Sequence, residues 1–334
     1  MKILLAAPGH LKTLPMGGYC AAALRRLGHT VVCFDSRPRW RDKLRRRHRE
    51  DGPKPCRAPS ANAGLRRIAA REQPDVFLAL LGCDVDRDTV ALLRAQGART
   101  ACWWLNDPFQ LARSLHQAGW YDCYFTNSRG SLDAYRAAGT PGVRFLPVGI
   151  DPEVHRPRAL DPAEAPRYAS DICFAGDWSA VREQWLLRLQ ARFRVRLWGP
   201  WGKKLPLDSP LRAVLTDGFF RPDEMVKAFA GAKLVLNLHT WFGHWPYGVN
   251  PRLFEAAGTG ACQLVDRKEE IPDLYRVPDE VVCVDSLEEC ERTAERLLAE
   301  RSEREAIGAR ARERTLREHT YDARMQELLQ AVCG

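Results

Sequence analysis

Long hydrophobic runs are missing from this chain of 334 residues. The first apolar run, Ile3–Ala7, ends before Pro8 and is too short for the core of a signal peptide. No other segment reaches the roughly 18 apolar residues that a membrane-spanning helix needs. We therefore expect a cytoplasmic protein whose contact with any membrane is peripheral.

Paired cysteine motifs are also missing, although eleven cysteines occur. There is no Cys-x-x-Cys pair and no Cys/His cluster at zinc spacing, so a metal cage is not indicated. The cysteines are typical of small, reduced apolar side chains in a cytosolic protein. Asp84 and Asp86 resemble a metal-binding Asp-x-Asp, but their place before a helix near Thr89 predicts helix capping instead. We expect neither a metal nor a cofactor.

Size and charge limit the class of protein further. A chain of 334 residues with 45% hydrophobic content is long enough for two domains with a core each. The net charge of +9 is modest, but Lys and Arg are concentrated in the segment Arg37–Arg49. That segment is either a solvated helix or loop, or a surface for a phosphorylated acceptor or for anionic lipid at the inner face of a membrane. Nucleic acid is not expected, because only Trp40 interleaves with the charge.

Short apolar runs alternate with helical patterns, and this alternation occurs twice. The first series runs from Ile3–Ala7 to Cys123–Thr126, and the second from Asp171–Ala175 to Val281–Val284. Strands separated by helices predict a parallel, doubly wound α/β sheet in each series. We predict an N-terminal domain over 1–155, a C-terminal domain over 167–315, and a helix over 316–334 that could return to the N-terminal domain. A proline-rich stretch between the series suits an interdomain linker.

The stretch Gly248–Asp266 joins a polar loop, a helix start and a buried strand in nineteen residues. We predict a helix over about 251–257, ended by Gly258 and Gly260 before the apolar strand. A helix start of this kind favours binding of a phosphate. The pattern therefore indicates an anion site.

Three polar residues of this stretch are candidates for nucleotide binding. Asn250 and Arg252 lie at the predicted helix start, and Glu255 lies one turn inside, where a carboxylate could accept hydrogen bonds from ribose hydroxyls. Phosphate and sugar contacts together indicate a nucleotide ligand. An ordinary strand–loop–helix–strand unit, with Arg252 and Glu255 in solvent, stays open as the alternative.

The order of short motifs along the chain is more specific than any one of them. Two glycines open the first helix, and a Gly-x-Asn-x-Arg-x-Phe-Glu pattern closes the series. In chain order the motifs are Gly17-Gly18, Phe125-Thr-Asn-Ser128, Leu146-Pro-Val-Gly-Ile-Asp151, Phe174-Ala-Gly-Asp177, Leu197-Trp-Gly199, Lys233-Leu-Val-Leu-Asn-Leu-His239 and Asn250-Pro-Arg-Leu-Phe-Glu255.

This order resembles the GT-B glycosyltransferases, and most closely the group around the spore-maturation protein CgeB and relatives of glycosyltransferase family 4. The resemblance implies two Rossmann-like doubly wound parallel-sheet domains facing a central cleft. It also implies a nucleotide-sugar donor on the C-terminal domain, an acceptor on the N-terminal domain, and no required divalent metal. Glu255 matches the second glutamate of the Glu-x7-Glu motif that grips the donor ribose. Tyr247 stands at the first glutamate position, so the sugar cannot be assigned by analogy.

Loss of a diphosphate from a nucleotide sugar requires groups that stabilise negative charge. Arg252, Arg182 and the backbone at Gly176 are the candidates. Arg182 lies early in a helix, where a cation opposes the helix dipole, although a solvent-facing helix arginine would explain it too.

The nucleoside base and the sugar need further groups. The base is expected beside Trp198, Gly199, Phe219 and Phe220, although core packing explains Trp198 or Phe219 equally well. The sugar is expected at the aromatic and imidazole-rich loop from His239 through Tyr247 to Gly248.

On the acceptor side we expect Gly17, Gly18, Trp104 and Asp107 to contribute. Asp107 follows a strand and could orient or deprotonate an acceptor hydroxyl, but helix capping with Pro108 at the first helical position would explain it as well. Asp107 and His239 are the candidate catalytic residues.

The expected activity is transfer of a hexose-type sugar from a nucleoside diphosphate, with a UDP-sugar favoured, to a glycan, lipid-linked glycan or protein hydroxyl. The resemblance implies retention, with the departing phosphate taking the acceptor proton; an inverting enzyme would use Asp107 as its base. Two alternatives stay open: a nucleotide-sugar epimerase or hydrolase of the same fold, and a non-catalytic nucleotide-binding surface or assembly protein.

Overall fold

The computed structural model describes residues 1–9, 15–37, 59–82, 84–219 and 221–334. The chain separates into two compact units. The first unit comprises Met1–Pro147 together with Tyr321–Gly334, and the second comprises Val148–Thr320. The second unit therefore includes the proline-rich stretch that extends to Pro166. In the described part of the chain, no helix is long and apolar enough to cross a membrane.

The first unit contains a six-stranded sheet in which every pairing is parallel. The strand order is β2-β1-β3-β4-β5-β6, so the chain winds outward from β1 in both directions. The elements are β1 (Lys2–Ala7), α1 (Met16–Arg26), β2 (Thr30–Asp35), α2 (Pro59–Glu72), β3 (Val76–Leu80), α3 (Arg87–Ala95), β4 (Arg99–Trp104), α4 (Leu111–Ala118), β5 (Cys123–Thr126), α5 (Leu132–Ala137) and β6 (Arg144–Phe145).

The second unit repeats this plan with the strand order β12-β11-β10-β7-β8-β9, again parallel throughout. The predicted fold class is confirmed. Its elements are α6 (Ala165–Tyr168), β7 (Ser170–Ala175), α7 (Ala180–Gln190), β8 (Val195–Gly199), β9 (Leu215–Asp217), α8 (Pro222–Gly231), β10 (Ala232–Asn237), α9 (Arg252–Gly258), β11 (Gln263–Asp266), α10 (Ile271–Leu274), β12 (Val282–Val284), α11 (Leu287–Ala299) and α12 (Arg301–Glu318).

A last helix, α13 (Tyr321–Cys333), belongs to the first unit. The ring of Tyr321 packs 5.5 Å from that of Tyr19 and 6.2 Å from that of Trp103, measured between centroids. Asp322 accepts two hydrogen bonds from Arg26, each 2.8 Å long. The helix predicted over 316–334 begins instead at Tyr321, because the preceding helix α12 extends to Glu318.

Local sequence explains how the strands and helices begin. The central strand β3 is a continuous apolar run, and β7 is apolar from Ile172 to Ala175, as expected for strands covered on both faces. The side chains of Asp86, Ser179 and Ser286 cap α3, α7 and α11 by accepting a hydrogen bond from a backbone N–H three residues on. The capping role predicted for the Asp84–Asp86 stretch is thereby confirmed at Asp86.

The helix predicted over 251–257 is confirmed as α9. Gly260, with φ of +76°, follows the helix end in the left-handed conformation that favours glycine. The following turn is in close contact with α12: a Cβ atom added to Gly308 would lie 2.1 Å from the carbonyl oxygen of Gly260. Helix α12 therefore needs glycine at this position.

We predict that Gly308→Ala lowers the free energy of unfolding by about 3 kcal/mol, because the added methyl group overpacks the contact with a backbone carbonyl. The control is Ala309→Gly at the neighbouring exposed position, where loss of helix propensity alone should cost about 1 kcal/mol. Urea unfolding measures the loss in free energy of unfolding for each variant, and we expect the larger loss for Gly308→Ala. Helix propensity by itself predicts the opposite order, so a more stable Gly308→Ala variant would contradict the close contact.

Candidate functional site

The carboxyl edge of the second sheet gathers the polar residues of the second unit. Strands β7, β10 and β11 are neighbours in this sheet and end at Ala175, Asn237 and Asp266. Because the strands are parallel, these ends meet at one edge, which is where ligands bind in doubly wound sheets. We call this region the carboxyl edge.

Arg252 and Glu255 form an ion pair at the carboxyl edge. Nη1 of Arg252 donates to Oε2 of Glu255, and Nε donates to the carbonyl of Ala175 over 3.2 Å. The guanidinium also lies over the ring of Phe229, 5.3 Å from its centroid. Glu255 is only 3% exposed, and its other oxygen lies 3.9 Å from Nε2 of His155. The alternative that both residues are solvated is wrong.

Asn250 holds the start of α9 in place. Its Oδ1 accepts a hydrogen bond from the backbone N–H of Leu253 over 3.2 Å, as a helix-capping side chain does. Its Nδ2 donates to Oδ1 of Asn237 over 2.8 Å. Asn250 therefore joins the end of β10 to the helix that carries Arg252.

Arg182 is buried, with 6% of its surface exposed. It donates from Nε and Nη2 to the carbonyl of Leu238, the former over 2.9 Å, and from Nη1 to the carbonyl of Asp177 over 2.8 Å. Burial, and then the nearby charge of Arg252, lower the pKa of Arg182 to about 10, although Asp177 and Asp266 act in the opposite direction. The alternative of a solvent-facing helix arginine is wrong.

His239 is buried and has a partner at each ring nitrogen. Nδ1 lies 2.6 Å from Oδ1 of Asp266, and Nε2 accepts a hydrogen bond from the backbone N–H of Asn250 over 3.1 Å. Its side chain is 0% exposed. This placement does not support a role as proton donor or acceptor for a bound substrate. It makes His239 a link between β11 and the start of α9.

The aromatic loop, His239–Gly248, follows β10 as predicted and is held at several points. The ring of Phe242 packs edge-on against Trp185, with 5.3 Å between centroids. Nε1 of Trp241 donates to the carbonyl of Tyr247 over 3.1 Å. Gly248 has φ of +82° and donates its N–H to Oε2 of Glu270. Tyr247 is half-buried.

The aromatic residues predicted to bind the nucleoside base differ in how far they are buried. Trp198 is 1% exposed and stacks on Tyr168 with 5.4 Å between ring centroids, which does not support stacking on a nucleotide. Phe219 is 71% exposed. Phe220 lies outside the described residues.

The glycines predicted to bind the base and the phosphate contact backbone carbonyl groups of the protein itself. Gly176 donates its N–H to the carbonyl of Trp198 over 2.9 Å, which does not support a contact from this N–H to a diphosphate. Gly199 packs so closely that a Cβ atom there would lie 2.1 Å from the carbonyl oxygen of Gly176.

The acceptor-side candidates belong to the first unit, where Asp107 is buried. Oδ2 of Asp107 accepts hydrogen bonds from the hydroxyls of Thr126 and Tyr135, each over 2.6 Å. Burial raises the pKa of the Asp107 carboxyl despite these bonds. Helix α4 begins only at Leu111, so the capping alternative is wrong. The placement does not support a role as base either: Asp107 ties β4 to the end of β5 and to α5.

The other first-unit candidates differ in burial and packing. Trp104 is 0% exposed within the core, which does not support contact with an acceptor. Gly17 lies where α1 approaches β1, since a Cβ atom there would be 2.7 Å from that of Ala7. Gly18 has nothing within 4 Å of such an atom. Of the basic segment Arg37–Arg49, only Arg37 is described, and it pairs with Asp35; the remainder lies outside the described residues.

Three charged residues of the second unit were missed from the sequence. Asp266, Lys268 and Glu270 are each at most 3% exposed. Asp266 ends β11, and the run of five charged residues that it begins is typical of a solvated turn. The available signal was the position of Asp266 directly at the end of a buried strand.

We predict that Arg182→Met lowers the free energy of unfolding of the ligand-free protein by about 1–3 kcal/mol, because two buried carbonyl groups lose their donors. Arg194→Met is the control at an exposed position, where a change within about 0.5 kcal/mol is expected. Chemical denaturation measures both. Equal effects would show that the bonds to Leu238 and Asp177 do not stabilise the unit.

Comparison with known proteins identifies the class of this chain. Residues 182–330 match the family model described as glycosyl transferase-like. Spore protein CgeB of Bacillus subtilis (strain 168) is 25% identical over 209 residues, which are 58% of this chain and 64% of CgeB.

Solved structures with the same fold span the whole chain. Sucrose-phosphate synthase from Thermosynechococcus elongatus superimposes with a TM-score of 0.69 at 12% identity, covering 99% of this chain and 98% of its own. Anabaena HepE in complex with UDP and glucose gives 0.66 at 13% identity, covering 100% and 99%. Family and fold together confirm the predicted resemblance and the predicted class of protein. Residues 182–330 thus match the glycosyl transferase-like family model, and the whole chain has the GT-B fold.

Proposed function

We propose that the chain moves a hexose-type sugar from a nucleoside diphosphate sugar to an acceptor hydroxyl, and that the carboxyl edge of the second unit binds the donor. The observation that carries the proposal is the pair of arginines, Arg182 buried and Arg252 largely buried, anchored to carbonyl groups at the ends of β7 and β10. Both are fixed in place before any ligand arrives.

Two neighbouring cations at the carboxyl edge favour binding of an anion. Burial is the main cause of the lowered pKa of Arg182, and the charge of Arg252 acts in the same direction. A diphosphate beside them would offset that repulsion, and its charge grows as the bond to the sugar breaks. Arginines held by backbone carbonyls need little rearrangement during the reaction, so they stabilise the departing diphosphate efficiently.

Glu255 is the proposed partner of the donor ribose, as its match to the second glutamate of the family motif implies. Its carboxylate is oriented by Arg252 in the first turn of α9. We propose uridine as the base. HepE has been seen with UDP and glucose and with UDP-glucose, but at 13% identity the likeness concerns the fold.

We propose retention, with the departing phosphate taking the acceptor proton. This route requires no protein base, and it agrees with Asp107 and His239 having hydrogen-bond partners within their own units. We also propose that the reaction is metal-independent, because the two arginines supply positive charge beside the proposed diphosphate. The acceptor is a glycan, a lipid-linked glycan or a protein.

The experiment is a thermal-shift and calorimetric panel of UDP, GDP, TDP, CDP and ADP, with and without magnesium. A ligand that binds the folded state raises its melting temperature. Stabilisation by UDP without magnesium supports the proposal, and stabilisation by another diphosphate alone corrects the base. No response to any diphosphate contradicts it. Turnover of the bound donor without acceptor would assign an epimerase or hydrolase instead.

We predict that Glu255→Gln weakens nucleoside diphosphate binding by about 1.5–3 kcal/mol, because a charge-assisted contact to the ribose is lost. Glu288→Gln is the matched control: its carboxylate also pairs with an arginine, Arg188, but is 56% exposed and belongs to α11. Titration calorimetry measures both affinities. Unchanged affinity in folded Glu255→Gln would remove this residue from the site.

A further inference from the structure

A buried chain of charges lies beside the proposed donor site and has no part in the proposed chemistry. Lys268 is 3% exposed, and its Nζ lies 3.1 Å from Oδ2 of Asp266. The other carboxylate oxygen, Oδ1, lies 2.6 Å from Nδ1 of His239 and accepts the backbone N–H of the same residue over 2.7 Å. A lysine is seldom buried so completely, and it stays charged only with a close partner.

The hydrogen bonds fix the protonation of His239. A backbone N–H can only donate, so Nε2, which meets the N–H of Asn250 at 3.1 Å, must be the acceptor nitrogen. Nδ1 therefore carries the hydrogen atom and donates a hydrogen bond to Asp266. The chain Lys268–Asp266–His239–Asn250 is therefore continuous, with Lys268 and His239 converging on the Asp266 carboxylate, and it ends at the residue that caps α9.

Lys268 also reaches the aromatic loop directly. Its Nζ donates to the carbonyl of Trp245 over 2.8 Å. The two residues that follow it attach the same loop: the N–H of Glu269 donates to the carbonyl of Pro246 over 2.8 Å, and Oε2 of Glu270 accepts the N–H of Gly248. Three consecutive residues after β11 thus hold the second half of the loop.

The aromatic loop continues directly into Asn250, Arg252 and Glu255. A displacement of the loop would therefore change the groups presented to a sugar bound there, as the sequence predicts, while Arg252 and Glu255 keep their own contacts with β7 and with each other. Loss of the loop attachments should affect binding of the sugar more than binding of the nucleotide.

We propose that Lys268 is a positioning residue that sets the aromatic loop against the sugar of the donor and so gives the site its preference for a nucleotide sugar over the free diphosphate. This inference rests on the proposed function of the carboxyl edge. Lys268 acts through Asp266 and His239 at one end of the loop and through the Trp245 carbonyl at the other.

The test separates positioning from simple charge pairing with three variants. Lys268→Met leaves Asp266 buried without its cation, and Asp266→Asn leaves Lys268 without its anion, so both should lower the melting temperature. The double variant removes both charges, while the side-chain amide oxygen introduced by Asp266→Asn can still accept from His239, so its melting temperature should recover. The bond from Lys268 to Trp245 stays lost in the double variant.

Affinities for UDP and UDP-glucose are then measured by calorimetry, with these two compounds as probes. In Lys268→Met and in the double variant, we expect the preference for UDP-glucose over UDP to fall about tenfold, as for one lost hydrogen bond to a charged group. Lys233→Met is the control, since this lysine pairs with Asp171 but is 53% exposed. A double variant with restored preference, or an equal loss of affinity for both probes, overturns the inference.

A second readout does not depend on nucleotide binding. The segment His239–Gly248 contains no Lys or Arg but several aromatic residues, so chymotrypsin, unlike trypsin, can cut within it. We expect cleavage there to be about tenfold faster in the double variant, as a loop that opens about 1.4 kcal/mol more readily would show. If the wild type binds no diphosphate, the proposed function fails, and unchanged cleavage in the double variant overturns the positioning role separately.

Discussion

A charge that leaves water must be matched inside the protein, and this requirement shapes the second unit. Arg182, Arg252, Glu255, Asp266 and Lys268 all lie largely buried at or near the carboxyl edge of one sheet. Each is held by an opposite charge or by backbone carbonyl groups. The matching dictates where the ends of β7, β10 and β11 and the start of α9 can lie relative to one another. Burial of these charges therefore restricts movement of the strand ends and of the start of α9.

Much of the fold was predictable because its signals are local. A buried parallel strand such as β3 is visible as a short apolar run, and a helix start such as that of α3 is visible as a capping Asp86. The end of α9 at Gly258 and the left-handed Gly260 follow from the same kind of short-range rule. The doubly wound topology then follows from the order of elements, since parallel neighbours need crossover helices.

The partners of the polar residues were not predictable, because they are set by contacts between distant parts of the chain. The sequence is compatible with Asp107 as a cap or a base, yet its partner Tyr135 lies 28 residues away. The sequence is compatible with either core packing or base binding for both Trp198 and Phe219. In the structure, Trp198 packs against Tyr168, whereas Phe219 is exposed. Lys268 resembles one charge in a solvated turn, and its burial depends on a loop that begins 29 residues earlier at His239. Residue type predicted the general location of the proposed site but not the role of each residue within it.

The placement of α13 has a consequence for how the chain is made. The first unit is discontinuous in sequence: its core includes Tyr321, Met325 and Leu328, which are translated after the whole of Val148–Thr320. The second unit is one uninterrupted segment and has all its strands and helices before α13 is synthesised. Domains usually mature in the order of synthesis. Here the unit that begins first is completed last, because the second unit has all its strands and helices while the N-terminal sheet still lacks α13.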